Sequence, residues 1–121
     1  MSKNILIVED NELNRDVLTR RLRRRGFVIS AAHDGLEALE KVNSEKPDLV
    51  LMDMNLPGLN GWEATEHLRG QGHRIPIIAL TAHATPEDRA RCLEAGCDEF
   101  ATKPVDFSSL LQIIERFIGA P

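Results

Sequence analysis

No apolar stretch in the sequence approaches the roughly 20 consecutive residues that a bilayer-spanning helix needs, which excludes an obvious membrane span. The polar start Met1-Ser2-Lys3-Asn4 has no secretory apolar core behind it, and a cytoplasmic protein is expected. Cysteine is scarce: Cys92 and Cys97 are too few for a disulfide framework. No histidine lies at a zinc-type spacing from them, so reduced thiols are the expectation. An excess of positive charge is also lacking, because the formal net charge of -4 gives no general attraction to nucleic acid or to an anionic membrane. There is no P-loop, glycine-rich dinucleotide fingerprint or nucleophile-elbow motif. No Pro/Ser-rich linker, low-complexity tract or sequence repeat divides the chain.

What is present is the content of one domain: 121 residues, 42% hydrophobic and 28% charged. Apolar runs recur near Ile5, Phe27, Leu49, Ile77 and at 99–101, each followed by a stretch of helical periodicity. That alternation predicts five βα units. The runs at 5–8, 49–52 and 77–80 are continuously apolar, as expected of central strands covered by helices on both faces. Helix signals agree. Gly26 closes the first helix after Arg25, Asp34 caps the second, and Gly96 closes the fourth. Thr85-Pro86-Glu87-Asp88 combines a cap, a first-turn proline and acids that suit the helix dipole. Leu110, Ile113, Ile114 and Phe117 give the last helix its expected buried stripe. The whole of 1–121 reads as one unit with no output domain in this chain.

Chemically distinct side chains end these runs: Glu9 and Asp10, then Asp53, Thr81 and Lys103. In a parallel sheet the carboxyl ends of the strands share one edge, where ligands bind. Three carboxylates gathered there repel by about 4 kcal/mol per close pair at an effective dielectric near 20, so a positive partner is required. Hard oxygen donors suit Mg²⁺, and Lys103 supplies a second positive centre. A free carboxylate, a hydroxyl and an ammonium beside such an ion are the parts of a phosphoryl-transfer site with Asp53 as nucleophile. Any one of these residues alone is an ordinary helix cap or solvated charge. Their ordered recurrence at successive strand ends carries the argument.

The segments Ile7-Val8-Glu9-Asp10-Asn11, Leu51-Met52-Asp53-Met54-Asn55-Leu56-Pro57-Gly58, Leu80-Thr81-Ala82 and Thr102-Lys103-Pro104 resemble the receiver domain of two-component response regulators. The resemblance covers essentially the whole chain and implies a doubly wound, flavodoxin-like (βα)5 α/β fold, with a parallel five-stranded sheet of order 2-1-3-4-5 and helices on both faces. It implies that Asp53 accepts phosphate from a phosphohistidine, on a sensor histidine kinase or a histidine phosphotransfer protein. It further implies that Asp10, Asp53 and the Asn55 carbonyl ligate Mg²⁺, with Glu9 reaching the ion mainly through water. Lys103 would pair with Asp53 or its phosphoryl group, Thr81 would grip a phosphoryl oxygen, and Phe100 takes the place of a switch aromatic. Tyrosine is frequent at that place, and Phe100 lacks its hydroxyl. Lys103-Pro104 resembles a peptide bond that is cis in this family.

Plainer readings stand beside several of these. Phe100 also suits simple core packing, and His83 is either an exposed loop residue or an influence on phosphate lifetime. The turn from Pro57 to Gly61 joins strand to helix and would also hold the Asn55 carbonyl, whereas Trp62 and Leu68 read as packing residues. Arg15, Arg20, Arg21, Arg23, Arg24 and Arg25 crowd the first helix, as a solvated face or as steering toward an acidic donor. A haloacid-dehalogenase-type phosphohydrolase would want an acid at Asn55, and an FMN carrier would not end its first strand in two acids. A signalling switch that acts by protein contact on an unspecified downstream target is therefore the expected function, without direct nucleic-acid or membrane binding.

Overall fold

Ten elements alternate along the chain: β1 (Asn4–Val8), α1 (Glu12–Arg24), β2 (Val28–Ala32), α2 (Gly35–Glu45), β3 (Leu49–Asp53), α3 (Gly61–Gly70), β4 (Ile77–Thr81), α4 (Pro86–Ala95), β5 (Glu99–Thr102) and α5 (Phe107–Ile118). They come from a computed structural model that describes residues 2–83 and 85–121. The five strands form one parallel sheet of order β2-β1-β3-β4-β5, the order that the resemblance implies. The three continuously apolar runs are its interior strands, and β3 and β4 are buried along their whole length.

Because side chains alternate across a strand, each interior strand feeds two cores. Ile5, Ile7, Leu49, Leu51, Ile78 and Leu80 pack with Leu18 and Leu22 of α1 and Leu110 and Ile114 of α5. Leu6, Val8, Val50, Met52, Ile77 and Ala79 pack on the opposite face with Ala38 and Val42 of α2, Ala64 and Leu68 of α3 and Cys92 of α4. Both cysteines are buried free thiols. Among the described residues, no helix is long and apolar enough to cross a membrane.

The helix boundaries follow side-chain chemistry. Asn11, Asp34, Asn60, Thr85 and Asp106 each accept a backbone N–H of the helix that they cap. Gly96 closes α4 with φ at 108°, a conformation that L side chains rarely adopt. Arg69 of α3 binds that same turn: Nε donates to the Gly96 carbonyl, Nη1 to the carbonyls of His73 and Ile75, and Nη2 to Asp98. Phe117 departs from the buried stripe expected of the last helix. Phe117 is 36% exposed, because it lies on the flank of α5 while Leu110 and Ile114 alone of the predicted stripe are fully buried.

Candidate functional site

The parallel register brings the tips of β1, β3, β4 and β5 to one edge. Glu9 follows β1, its amide donating to the Ala32 carbonyl at 3.0 Å, and its side chain is buried. Asp53 is the last residue of β3 and is 1% exposed. Lys103 is held just beyond β5 by its own amide, which donates to the Thr81 carbonyl at 2.7 Å, and the Lys103-Pro104 bond is cis. Its Nζ lies 3.0 Å from Asp53 Oδ2 and 3.1 Å from Glu9 Oε1.

Burial and the neighbouring Asp53 carboxyl push the Glu9 pKa up to about 7, against the opposing pull of Lys103. For Lys103 burial acts against the charge, but its hydrogen bonds and charge contacts with Asp53 and Glu9 outweigh it, so its pKa is raised. The cluster therefore favours one ammonium over two acids, the second of which ionises with difficulty.

Asp10 is exposed at the mouth of the cluster, and Glu9, Asp10 and Asp53 each offer a carboxylate oxygen within 4.8 Å of the other two. Such a compact set of hard oxygens fits a small divalent cation. Asn55 lies beside it, its amide donating to Asp53 Oδ1 at 3.0 Å. The turn leading to α3 is tightly packed: a Cβ added to Gly61 would lie 2.3 Å from the Asp53 carbonyl oxygen.

Thr81 ends β4 beside these groups, buried, and its hydroxyl donates to the His83 carbonyl at 3.1 Å. His83 itself is exposed. Phe100 sits on β5, half-buried against the α2–α4 core, with the Arg89 guanidinium 4.7 Å from its ring centre. The structure thus gathers Glu9, Asp10, Asp53, Asn55, Thr81 and Lys103 at one edge and sets Phe100 on the neighbouring strand facing α4.

Arg15 escapes a reading of the first helix as a uniformly solvated face. It is half-buried, and its Nη1 donates to the Glu9 carbonyl at 2.8 Å, bracing the first acid of the site. Its place in the first turn after Asn11 was the available signal. Arg89 and Arg91 carried none, because their aromatic partners lie on other elements. A cavity of about 520 Å³ opens next to Glu9 and Lys103, between Val17, Leu18 and Arg21 of α1 and Pro104, Val105 and Phe107 at the start of α5.

The sequence profile of the response regulator receiver domain matches residues 5–115. The response regulator MprA of Mycobacterium tuberculosis is 40% identical over 111 residues, covering 92% of this chain and 48% of MprA. The chain thus spans about half the length of that curated relative. Among solved structures, the receiver domain of the sensor histidine kinase PA1611 from Pseudomonas aeruginosa superposes with a TM-score of 0.90 at 39% identity, covering 99% of this chain and 100% of that one. That domain has a magnesium ion coordinated in its active site cleft. A chain from the co-crystal structure of the Saccharomyces cerevisiae histidine phosphotransfer signaling protein Ypd1 and the receiver domain of its downstream response regulator Ssk1 gives 0.89 at 32% identity, covering 96% and 88%.

Proposed function

The chain belongs to the response regulator receiver domain family of two-component signalling, and from that premise we propose that it is a phosphorylation-dependent switch whose acceptor is Asp53. The observation that carries this is the buried Asp53 carboxylate held 3.0 Å from Lys103 Nζ, beside two further acids. An Asp53 oxygen attacks the phosphorus of a phosphohistidine, the P–N bond breaks, and the imidazole keeps the electron pair and takes up a proton. The product is an acyl phosphate on Asp53. Lys103 neutralises charge on the transferred group, and Thr81 donates its hydroxyl to it.

Glu9, Asp10, Asp53 and the Asn55 carbonyl are the residues that would hold Mg²⁺. Bound there, the ion would neutralise phosphoryl oxygens and align them. The chemistry is self-directed, with no turnover of a metabolite, and Asn55 stands where a dehalogenase-type hydrolase would want its second acid. The unit is 1–121 and its setting cytoplasmic. Its donor is a histidine kinase or phosphotransfer protein, which the groove beside α1, flanked by exposed Leu13 and Val17, would receive.

Phosphorylation replaces a carboxylate by a group of greater negative charge and more acceptors, so Lys103 and Thr81 must redistribute their contacts. Moving a two-state surface from 1:99 to 99:1 takes about 5.5 kcal/mol, a magnitude within reach of several charge-assisted hydrogen bonds in a shielded pocket. The decisive test is incubation with acetyl phosphate, with and without Mg²⁺, read by intact mass. A Mg²⁺-dependent gain of one phosphoryl group in the parent and none in Asp53→Asn is expected. No gain in the parent, or an equal gain in the variant, refutes Asp53 as acceptor.

A further inference from the structure

The seam between α3 and α4 carries contacts that the acceptor chemistry does not use. α4 is a polar helix whose only buried residues are Cys92 and Ala95, and its Leu93 is 63% exposed. Apolar burial therefore holds it weakly. Arg91 of α4 lies over the ring of Trp62, with its guanidinium carbon 3.7 Å from the ring centre, a close cation–π contact. The indole N–H of Trp62 is buried without a hydrogen-bond partner among the described residues, although the Cys92 thiol is near it. The Arg91 guanidinium covers one face of the indole, whose ring also packs against the core beneath it.

Resting on the reading of Asp53 as acceptor, we propose that Arg91 and Trp62 form a latch that holds α4 in its unphosphorylated position, so that occupying Asp53 must open it. The Thr81 hydroxyl has one proton, and it is donated to the His83 carbonyl at 3.1 Å. To donate instead to a phosphoryl group, Thr81 must release that carbonyl, and His83 stands two residues before Thr85, the cap of α4. α3 cannot follow. Gly61 is wedged against the Asp53 carbonyl, its amide donates to Met54 at 3.2 Å, and Asn60 and Glu63 close a capping box around the first turn. A displacement delivered to α4 with α3 fixed falls on the seam, where Arg91 covers Trp62.

Trp62 is the sole tryptophan, so its emission reports on the latch. The experiment titrates the full chain with beryllium fluoride, a phosphoryl mimic, in saturating Mg²⁺, read by tryptophan emission and by calorimetry. Arg91→Ala is expected to lower the apparent Kd by about two- to fivefold, the range that a partly exposed cation–π contact carries. It should also move resting emission toward that of the occupied parent, with Arg91→Lys intermediate. Trp62→Phe, read by calorimetry alone, should lower the Kd in the same direction. General loosening of the fold would raise it, and thermal melts identify that case. An unchanged or raised Kd in both Arg91→Ala and Trp62→Phe overturns the latch. A parent that binds no beryllium fluoride overturns the acceptor reading and the latch with it, whereas parent binding abolished by Asp53→Asn with no change in either Arg91→Ala or Trp62→Phe overturns the latch alone.

Discussion

The ammonium of Lys103, just beyond β5, reaches past the tip of β4 to stand 3.0 Å from Asp53 Oδ2, joining the ends of two strands that do not pair with each other. The same nitrogen lies 3.1 Å from Glu9, so one cation serves both buried acids of the site.

Replacing it should separate its two roles. Lys103→Ala is expected to slow phosphate acceptance from acetyl phosphate on the order of a hundredfold, the usual loss when one donor to a developing oxyanion is deleted. Mg²⁺ affinity should rise in the same variant, because the competing cation has gone from Glu9 and Asp53. Rates from mass spectrometry and calorimetric Mg²⁺ titration measure the two effects independently.

Glu9 makes stability in the absence of divalent cations depend on pH. Unfolded, it ionises near its ordinary 4.5; folded, near 7, so between these values the folded chain binds more protons. Stability should therefore fall as pH rises through that window and level off above it. Burial raises Glu37 but hydrogen bonds from His33 carry it lower, so its contribution is lost only in acid. The raised pKa of Lys103 makes its contribution constant until well into the alkaline range. Urea melts at several pH values should show a decline in the parent that Glu9→Gln flattens and saturating Mg²⁺ reduces.

Gly61 should tolerate no side chain. The Cβ of Gly61→Ala would meet the Asp53 carbonyl oxygen at 2.3 Å, a backbone obstacle that cannot rotate away. A loss of about 1–3 kcal/mol in denaturant melts is expected from this overpacking. Gly70, whose added Cβ meets nothing within 4 Å, is the control and should change little when made Ala.

Charge reversal on α1 addresses the partner. Arg20 and Arg21 are exposed and make no ion pair among the described residues, while Arg21 lines the cavity beside Lys103. Arg20→Glu with Arg21→Glu should slow transfer from a cognate phosphohistidine donor severalfold at low salt, with the gap closing as salt rises. Acetyl phosphate, which needs no docking, should phosphorylate both proteins alike. Equal donor kinetics at every salt concentration would leave these arginines as a solvated face.

Strand and helix identity was legible because the interior runs are short, continuously apolar and punctuated by caps such as Asp34 and Thr85-Pro86. The gathering of Glu9, Asp53, Thr81 and Lys103 was legible for a related reason: each stands at the end of its run, and parallel pairing puts those ends together. Relations set by tertiary packing were not. Arg15 was set apart only by its place in the first turn after Asn11, which does not reveal that it braces the Glu9 carbonyl, and nothing local marks Arg91 as the partner of Trp62. Phe117 fits the period of its helix but stays on its flank while Ile118 beside it packs on the core, so periodicity alone overstated its burial.

Arg69 gives α4 an asymmetric footing. Its guanidinium grips the Gly96 carbonyl at the closing end of that helix and ties it to His73, Ile75 and Asp98, while the opening end at Thr85 has no such clamp among the described residues. A push arriving from the Thr81 side would therefore turn the helix as a lever about a fulcrum at Gly96, with the greatest travel nearest the site and almost none at the opposite pole of the sheet.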